Sequence, residues 1–167
     1  MTTVSAYSYT HSVTYVAENI LKGFREIIRL AGLNPAKFVD DWEVSHRGIS
    51  TWMQSGHLKM VELEIIDPRT NTLVFKWEME ISYTWSSGDG SFWADTEQLR
   101  YHMRKVGLAP SDAWYRLLVT RHPGWPAVDG WSSATAYSTA GMTRQSAGST
   151  IEHNGLGAGS AYWRKTG

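Results

Sequence analysis

Cysteine is absent from the 167-residue chain, which removes disulfides, thiolate nucleophiles and thiolate metal sites together. Neither sign of charge predominates: 16 Lys plus Arg balance 16 Asp plus Glu, a formal net charge of zero. No basic run or stripe occurs, so there is little to displace counterions from phosphates, and direct nucleic-acid binding is not expected. Also missing is any apolar run near the ~20 residues that span a bilayer. The opening MTTVSAYSYTHS has no basic n-region and no apolar h-region, unlike a secretory signal. These absences lead to the expectation of a soluble, cytoplasmic protein with no membrane partner.

What the chain does have is aromatic mass: nine Trp, eight Tyr and four Phe, against 19% charged residues. A domain of this length buries roughly 68–70% of its unfolded surface and needs no staple. From Val13 to Leu30 apolar residues recur at helical spacing (Val13, Val16, Ile20, Phe24, Ile27, Leu30), and Gly32 follows as a cap. Asn34 and Pro35 read as the start of a second helix, with Phe38, Trp42, Ile49 and Trp52 or Met53 inward and Gly56 at its end. The period then switches to two. In MVELEII and LVFKWEMEISY, Val61, Leu63, Ile65, Phe75, Trp77 and Met79 oppose Glu62, Glu64, Lys76, Glu78 and Glu80. That is an antiparallel hairpin with one dry and one wet face, joined by the turn DPRTNT. SSGDGS reads as a loop, and Asp95 with Gln98 as a capping box opening a helix that ends at Gly107. Trp114 to Thr120 is a further strand, and the turn-rich RHPGWPAVDG follows it. The layout is α+β, with helices on one face of an antiparallel sheet.

Catalytic chemistry is hard to find. The six histidines (His11, His46, His57, His102, His122, His153) show no metal-ligand spacing. Asp40 and Asp41 are neighbours on a helix and point apart. The hairpin glutamates sit where a solvated face wants them. No Gly-x-Ser-x-Gly elbow exists. GLGAGS, from Gly155 to Ser160, has only seven residues after it, so it opens no phosphate-binding helix and reads as a flexible tail. The expectation is no enzyme, no cofactor and no metal.

The unusual segment is VDGWSSATAYSTAGMTRQSAGSTI, Val128 to Ile151. Between Gly130 and Thr150, 16 of 21 residues are Gly, Ala, Ser or Thr, punctuated by Trp131, Tyr137 and Met142. Thr135, Tyr137 and Thr139 alternate, Ala140-Gly141 makes a turn, and Thr143 and Gln145 return. With few large apolar groups the register of such a hairpin is weakly fixed. Two packings separated by a few kcal/mol would make a switch.

Taken in order, these pieces resemble the HORMA domains, and most nearly the bacterial ones. The likeness rests on THSVTYV, GLNPAKFVDDW, GISTWMQSGHL, LVFKWEMEISY, GDGSFWADTEQLRY, YRLLVT and GWPAVDGW, and then on the Ser/Thr-rich segment, over residues of about 10 to 151. The resemblance implies a HORMA-like α+β fold: an antiparallel sheet with three helices packed on one face and a mobile safety-belt hairpin. It divides the chain into a flexible segment 1–12, a core 13–123, a belt 124–151 and a tail 152–167. It implies a conformational switch that closes its belt over a closure-motif peptide added to a sheet edge. The candidate edge is Tyr115 to Thr120. Tyr115, Leu117, Val119, Trp125, Trp131, Ser133, Thr135 and Tyr137 are the candidate peptide-binding residues, with Ser138 as a small belt residue. In bacterial anti-phage signalling the closed protein would activate a cGAS/DncV-like nucleotidyltransferase and be reopened by an AAA+ remodeller engaging Met1 to Ser12. A second HORMA protein is a further candidate partner, and SAYWRKTG a candidate closure motif for a neighbouring copy. The alternative reading is a Trp-rich carbohydrate- or small-ligand-binding module.

Overall fold

The computed structural model of the chain describes residues 2–84, 92–153 and 155–165. Four helices and six strands follow in the order α1 Thr2–Leu30, α2 Ala36–Asp40, α3 Trp42–Gln54, β1 Leu58–Asp67, β2 Thr72–Tyr83, β3 Phe92–Ala94, α4 Thr96–Val106, β4 Trp114–Arg121, β5 Met142–His153 and β6 Leu156–Lys165. The strands form one antiparallel sheet in the order β3-β5-β6-β2-β1-β4. The loop expected at SSGDGS lies outside the described residues.

The helical stripe of α1 behaves as its spacing requires. Val16, Ile20, Phe24 and Ile27 are fully buried in one core cluster with Val61 and Leu63 of β1 and Phe75 and Trp77 of β2, and α1 packs on α3, α4, β5 and β6. The helix begins at Thr2, however, and not at Val13, so the segment expected to be flexible is helical. Its Ser, Thr and Tyr residues are weak helix formers. Tertiary contacts hold its end instead: the Tyr9 hydroxyl donates to the Met53 carbonyl, and Ser12 is buried against His153. The second expected helix is two, because the chain turns at Asp41 between α2 and α3. At α4 the capping residue is as expected, with the Gln98 amide donating to Asp95 Oδ1 at 3.0 Å.

The largest departure is at the C-terminus. Residues read as a free tail form β6, which lies between β5 and β2 in the middle of the sheet. Tyr162 is fully buried, stacks on Trp77 with centroids 4.7 Å apart, and shares a 2.9 Å hydrogen bond with His102 Nδ1 of α4. SAYWRKTG is therefore not available as a closure motif for another copy. The belt hairpin is displaced as well: residues 135–139 form no strand, and β5 pairs with β6 from Met142 onward. In sequence an Asn-Gly pair stands between these two strands, a strong hairpin signal. Gly155 has φ 89°, and a Cβ there would lie 2.2 Å from the Thr84 carbonyl oxygen, so no other residue fits.

His102 reports on this packing. Burial first, and the Lys105 charge second, hold its pKa below the usual value of about 6.5. The unfolded chain then takes up a proton that the folded chain refuses. Stability is full above that value and falls as pH drops toward the folded-state pKa. His102→Gln is expected to flatten this part of the profile, as denaturant midpoints from about pH 7.5 down to 5 would register. An unchanged slope would assign the effect to another group.

Candidate functional site

β4 is the outermost strand. It pairs with β1 along Leu58–Ile66, and among the described residues no strand pairs with its other edge. Its backbone groups on that side form an unfilled ladder, the kind of edge proteins normally cover. Outside it runs the segment 122–141, which belongs to neither helix nor strand. This strap is fastened on both faces of the sheet.

On the helical face the fastening is α3. The Trp52 indole N–H donates to the Pro126 carbonyl at 2.7 Å. Gly130, at φ 91°, turns the chain so that Trp131 lies against α3, where its indole N–H donates to the Val44 carbonyl at 3.2 Å. The Trp131 ring packs edge-on to Trp52 with centroids 5.1 Å apart. It rests directly on Gly48, where a Cβ would come within 2.3 Å of Trp131 Nε1.

On the opposite face the fastening is Glu64, completely buried. One carboxylate oxygen accepts from Arg116 Nε at 2.6 Å, the other from the Tyr137 backbone N–H at 2.8 Å. Arg116 also donates to the Thr135 carbonyl and lies over the Tyr137 ring at 5.0 Å. The Tyr137 hydroxyl donates to Asn71 Oδ1 at 2.9 Å. Between the two fastenings, Ser132, Ser133 and Ala134 cross the β4 edge.

Two cavities lie between edge and strap. One of about 450 Å³ is lined by Leu117, Val119, Arg121, Trp125, Val128, Trp131 and Ser133 among others. The other, about 340 Å³, takes in Lys37, Phe38, Asp41, Tyr115, Arg116 and again Leu117 and Trp131. Leu117 and Trp131 border both, and the two cavities together make a slot flanking the strand from Tyr115 to Arg121. Leu117 and Val119, opposite Leu63 and Val61, are on the helical face of the edge.

Of the eight residues picked from sequence, Leu117, Val119, Trp125, Trp131 and Ser133 line the larger cavity and Tyr115 the smaller. The Tyr115 hydroxyl is engaged with the Asn34 carbonyl and the Phe38 amide. Thr135 and Tyr137 line neither; they fasten the strap on the far face. Sequence reasoning did not anticipate Gly48, Trp52, Glu64, Arg116 or Arg121.

The solvated face expected for the hairpin is instead a buried ionic layer. Glu62, Glu64, Lys76 and Glu78 are all buried. Lys76 pairs with Glu62 at 3.2 Å and Arg144 with Glu78 at 2.7 Å, and the Trp163 indole N–H donates to Glu78. With Arg116 on Glu64, three anions meet three cations, so the layer closes without stranded charge. Burial, partly offset by Lys76 and reinforced by Glu78 and Glu64, still raises the Glu62 pKa. Alternation had separated the faces correctly; it carried no information on what covers the second one.

Among the described residues the exposed tryptophans build no common platform: Trp93 is on β3 at one sheet edge, while Trp114 begins β4 at the other and Trp125 follows it. Among the described residues no three metal-capable side chains gather, and no helix is long and apolar enough to cross a membrane.

Comparison with known proteins adds the following. The family described as Bacterial HORMA domain 2 matches residues 1–166. Among solved structures, a C. elegans HTP-1 bound to a HIM-3 closure motif superposes with a TM-score of 0.67 at 11% identity, covering 91% of this chain and 89% of that one. A chain of the mitotic checkpoint complex gives 0.74 at 9% identity, covering 93% and 99%. A chain of the E. coli MS115-1 CdnC:HORMA-deltaN complex gives 0.58 at 12% identity, covering 95% and 90%. At such identities these likenesses speak for the fold. No curated protein matches in sequence.

Proposed function

Because this chain belongs to the bacterial HORMA domain family, we propose that it is a peptide-capturing adaptor of anti-phage signalling, whose β4 edge accepts an extended closure-motif peptide beneath the 122–141 strap. The observation that carries this reading is the slot between an unpaired strand edge and a strap pinned on both sheet faces. A strand added there would gain main-chain hydrogen bonds from β4, while alternate side chains would enter the apolar pocket of Leu117, Val119 and Trp131. The solved HTP-1 relative, bound to a closure motif, lends support.

The E. coli CdnC:HORMA-deltaN complex supports a nucleotidyltransferase of the cGAS/DncV-like class as a binding partner, and in this proposal the peptide-loaded form activates it. An AAA+ remodeller would reopen the strap by pulling on residues 1–12. Since α1 starts at Thr2, it would have to unwind helix first. A second HORMA protein remains a proposed source of the peptide. The adaptor works through binding, and no catalytic role is assigned to any residue.

A peptide-display selection on the full chain and on a Trp131→Ala version tests the reading. We expect an extended motif to be enriched on the first and, as synthetic peptide, to bind the second about 30-fold more weakly, the ~2 kcal/mol of an aromatic hot spot. Equal capture by both would sink the strap as a clasp. No enriched peptide, together with a Trp fluorescence response to glycans, would favour the small-ligand alternative.

A further inference from the structure

The charges lining the slot are few, and their pairing is uneven. Lys37 and Asp41 neutralise each other at 3.5 Å, and Arg116 is paired with Glu64. Arg121, at the C-terminal end of β4, has no carboxylate partner and no side-chain hydrogen bond among the described residues. Its guanidinium carbon lies over two indoles, 4.6 Å from the Trp52 ring centroid and 4.1 Å from that of Trp125. A guanidinium held by aromatic rings in this way keeps its N–H donors, which point outward in its plane, for an anion. The ring pair also restricts the side chain, so little freedom is left to lose when an anion arrives. A fork of this kind matches a carboxylate with two parallel hydrogen bonds.

We propose that the peptide captured in the slot is acidic, with one carboxylate that docks on Arg121 and fixes its register along β4. This rests on the peptide-binding reading above. The carboxylate would come from an Asp or Glu side chain or from a peptide C-terminus; both present the same group to the guanidinium. Trp125 belongs to the strap and Trp52 holds it through Pro126, so an occupied Arg121 would also tie the peptide to the closed strap.

The test uses a random octapeptide display library on the full-length chain, followed by synthetic versions of the strongest binder measured by fluorescence anisotropy. Each Asp or Glu is changed singly to its amide, and the C-terminus is amidated in a separate peptide. One of these changes is expected to weaken binding at least tenfold on the natural chain and less than twofold on Arg121→Gln. Which change it is identifies the source of the carboxylate. Arg121→Glu should in turn prefer the peptide with Lys at that position, a reversal that mere loosening of the indole pair would not produce. Thermal melts check that both variants fold. If all neutral peptides bind as tightly as the acidic one, or if Arg121→Gln discriminates as the natural chain does, the inference is overturned while peptide capture stands. If no peptide is captured at all, the reading of the slot falls first and this inference with it.

Discussion

A chain ended at Ile151 is expected to lose its cooperative unfolding transition altogether. The cut removes β6, the strand that joins β5 to β2 in the middle of the sheet. β5 would keep only the Ile151–Ala94 pair with β3, since Glu152 and His153 go with the cut. Leu156 and Tyr162, both fully buried, would vanish from the core, and with them the face on which Trp77 stacks. Emptying a single large buried site costs about 3–5 kcal/mol, and whole domains are stable by only ~5–15 kcal/mol. Losing two such side chains and a central ladder exceeds what remains. Near-UV circular dichroism and a denaturant titration provide the measurement. Tyr162→Ala is the graded version, with an expected loss of about 3–5 kcal/mol. A truncated chain that still unfolds sharply would mean that residues 156–165 do not belong to the core.

The second large effect is expected from one methyl group. Gly48 is inside α3, where Ala would be favoured by about 0.8–1 kcal/mol on helix propensity alone. Yet its Cβ would sit 2.3–2.8 Å from three atoms of the Trp131 indole. The ring cannot simply slide, because Trp52 stands against it and Val44 crowds Gly130 just before it. Gly48→Ala should therefore keep or slightly raise the melting temperature of the body while expelling the strap's anchor. Protease sensitivity within 122–141 should rise and peptide capture should fall by about 30-fold or more, an anchor's ~2 kcal/mol. Unaltered protection and capture in a well-folded Gly48→Ala chain would refute this account of the anchor. The two responses point in opposite directions, so general destabilisation cannot imitate the result.

The residues that were readable from sequence are those whose pattern has a period. The stripe of α1, the alternation of β1 and β2 and the Asp95 cap each state a local geometry that tertiary packing then respects. β6 states nothing of the kind. Gly157, Ala158, Gly159, Ser160 and Ala161 have almost no hydrophobic period, and its burial comes from neighbours on both sides rather than from its own side chains. The one local clue was Asn154-Gly155, a two-residue hairpin signal placed between two strands of small residues. The candidate site divides along the same line. Aromatic and apolar members such as Leu117, Val119 and Trp131 stood out by type. Glu64, Arg116 and Arg121 did not, since a charge on an alternating strand looks the same whether it meets water or a partner 50 or more residues away in the chain.

The placement of the strap also bears on how this molecule behaves at high concentration. An unpaired, uncovered strand such as β4 is a template on which sheets of separate molecules join edge to edge, the first step of ordered aggregation. Ser132 to Ala134 border the cavity beside that strand, between fastenings on both faces, and so stand where the edge of a second sheet would approach. At the opposite end of the sheet β3 is only three residues long, and β5 carries two irregularities in its pairing, at Ser146–Gly148 and Ser149–Ile151. Bulges of this sort twist an edge away from flat contact. While it is closed, the strap is therefore also colloidal protection for a reactive ladder, whether or not a peptide lies beneath it.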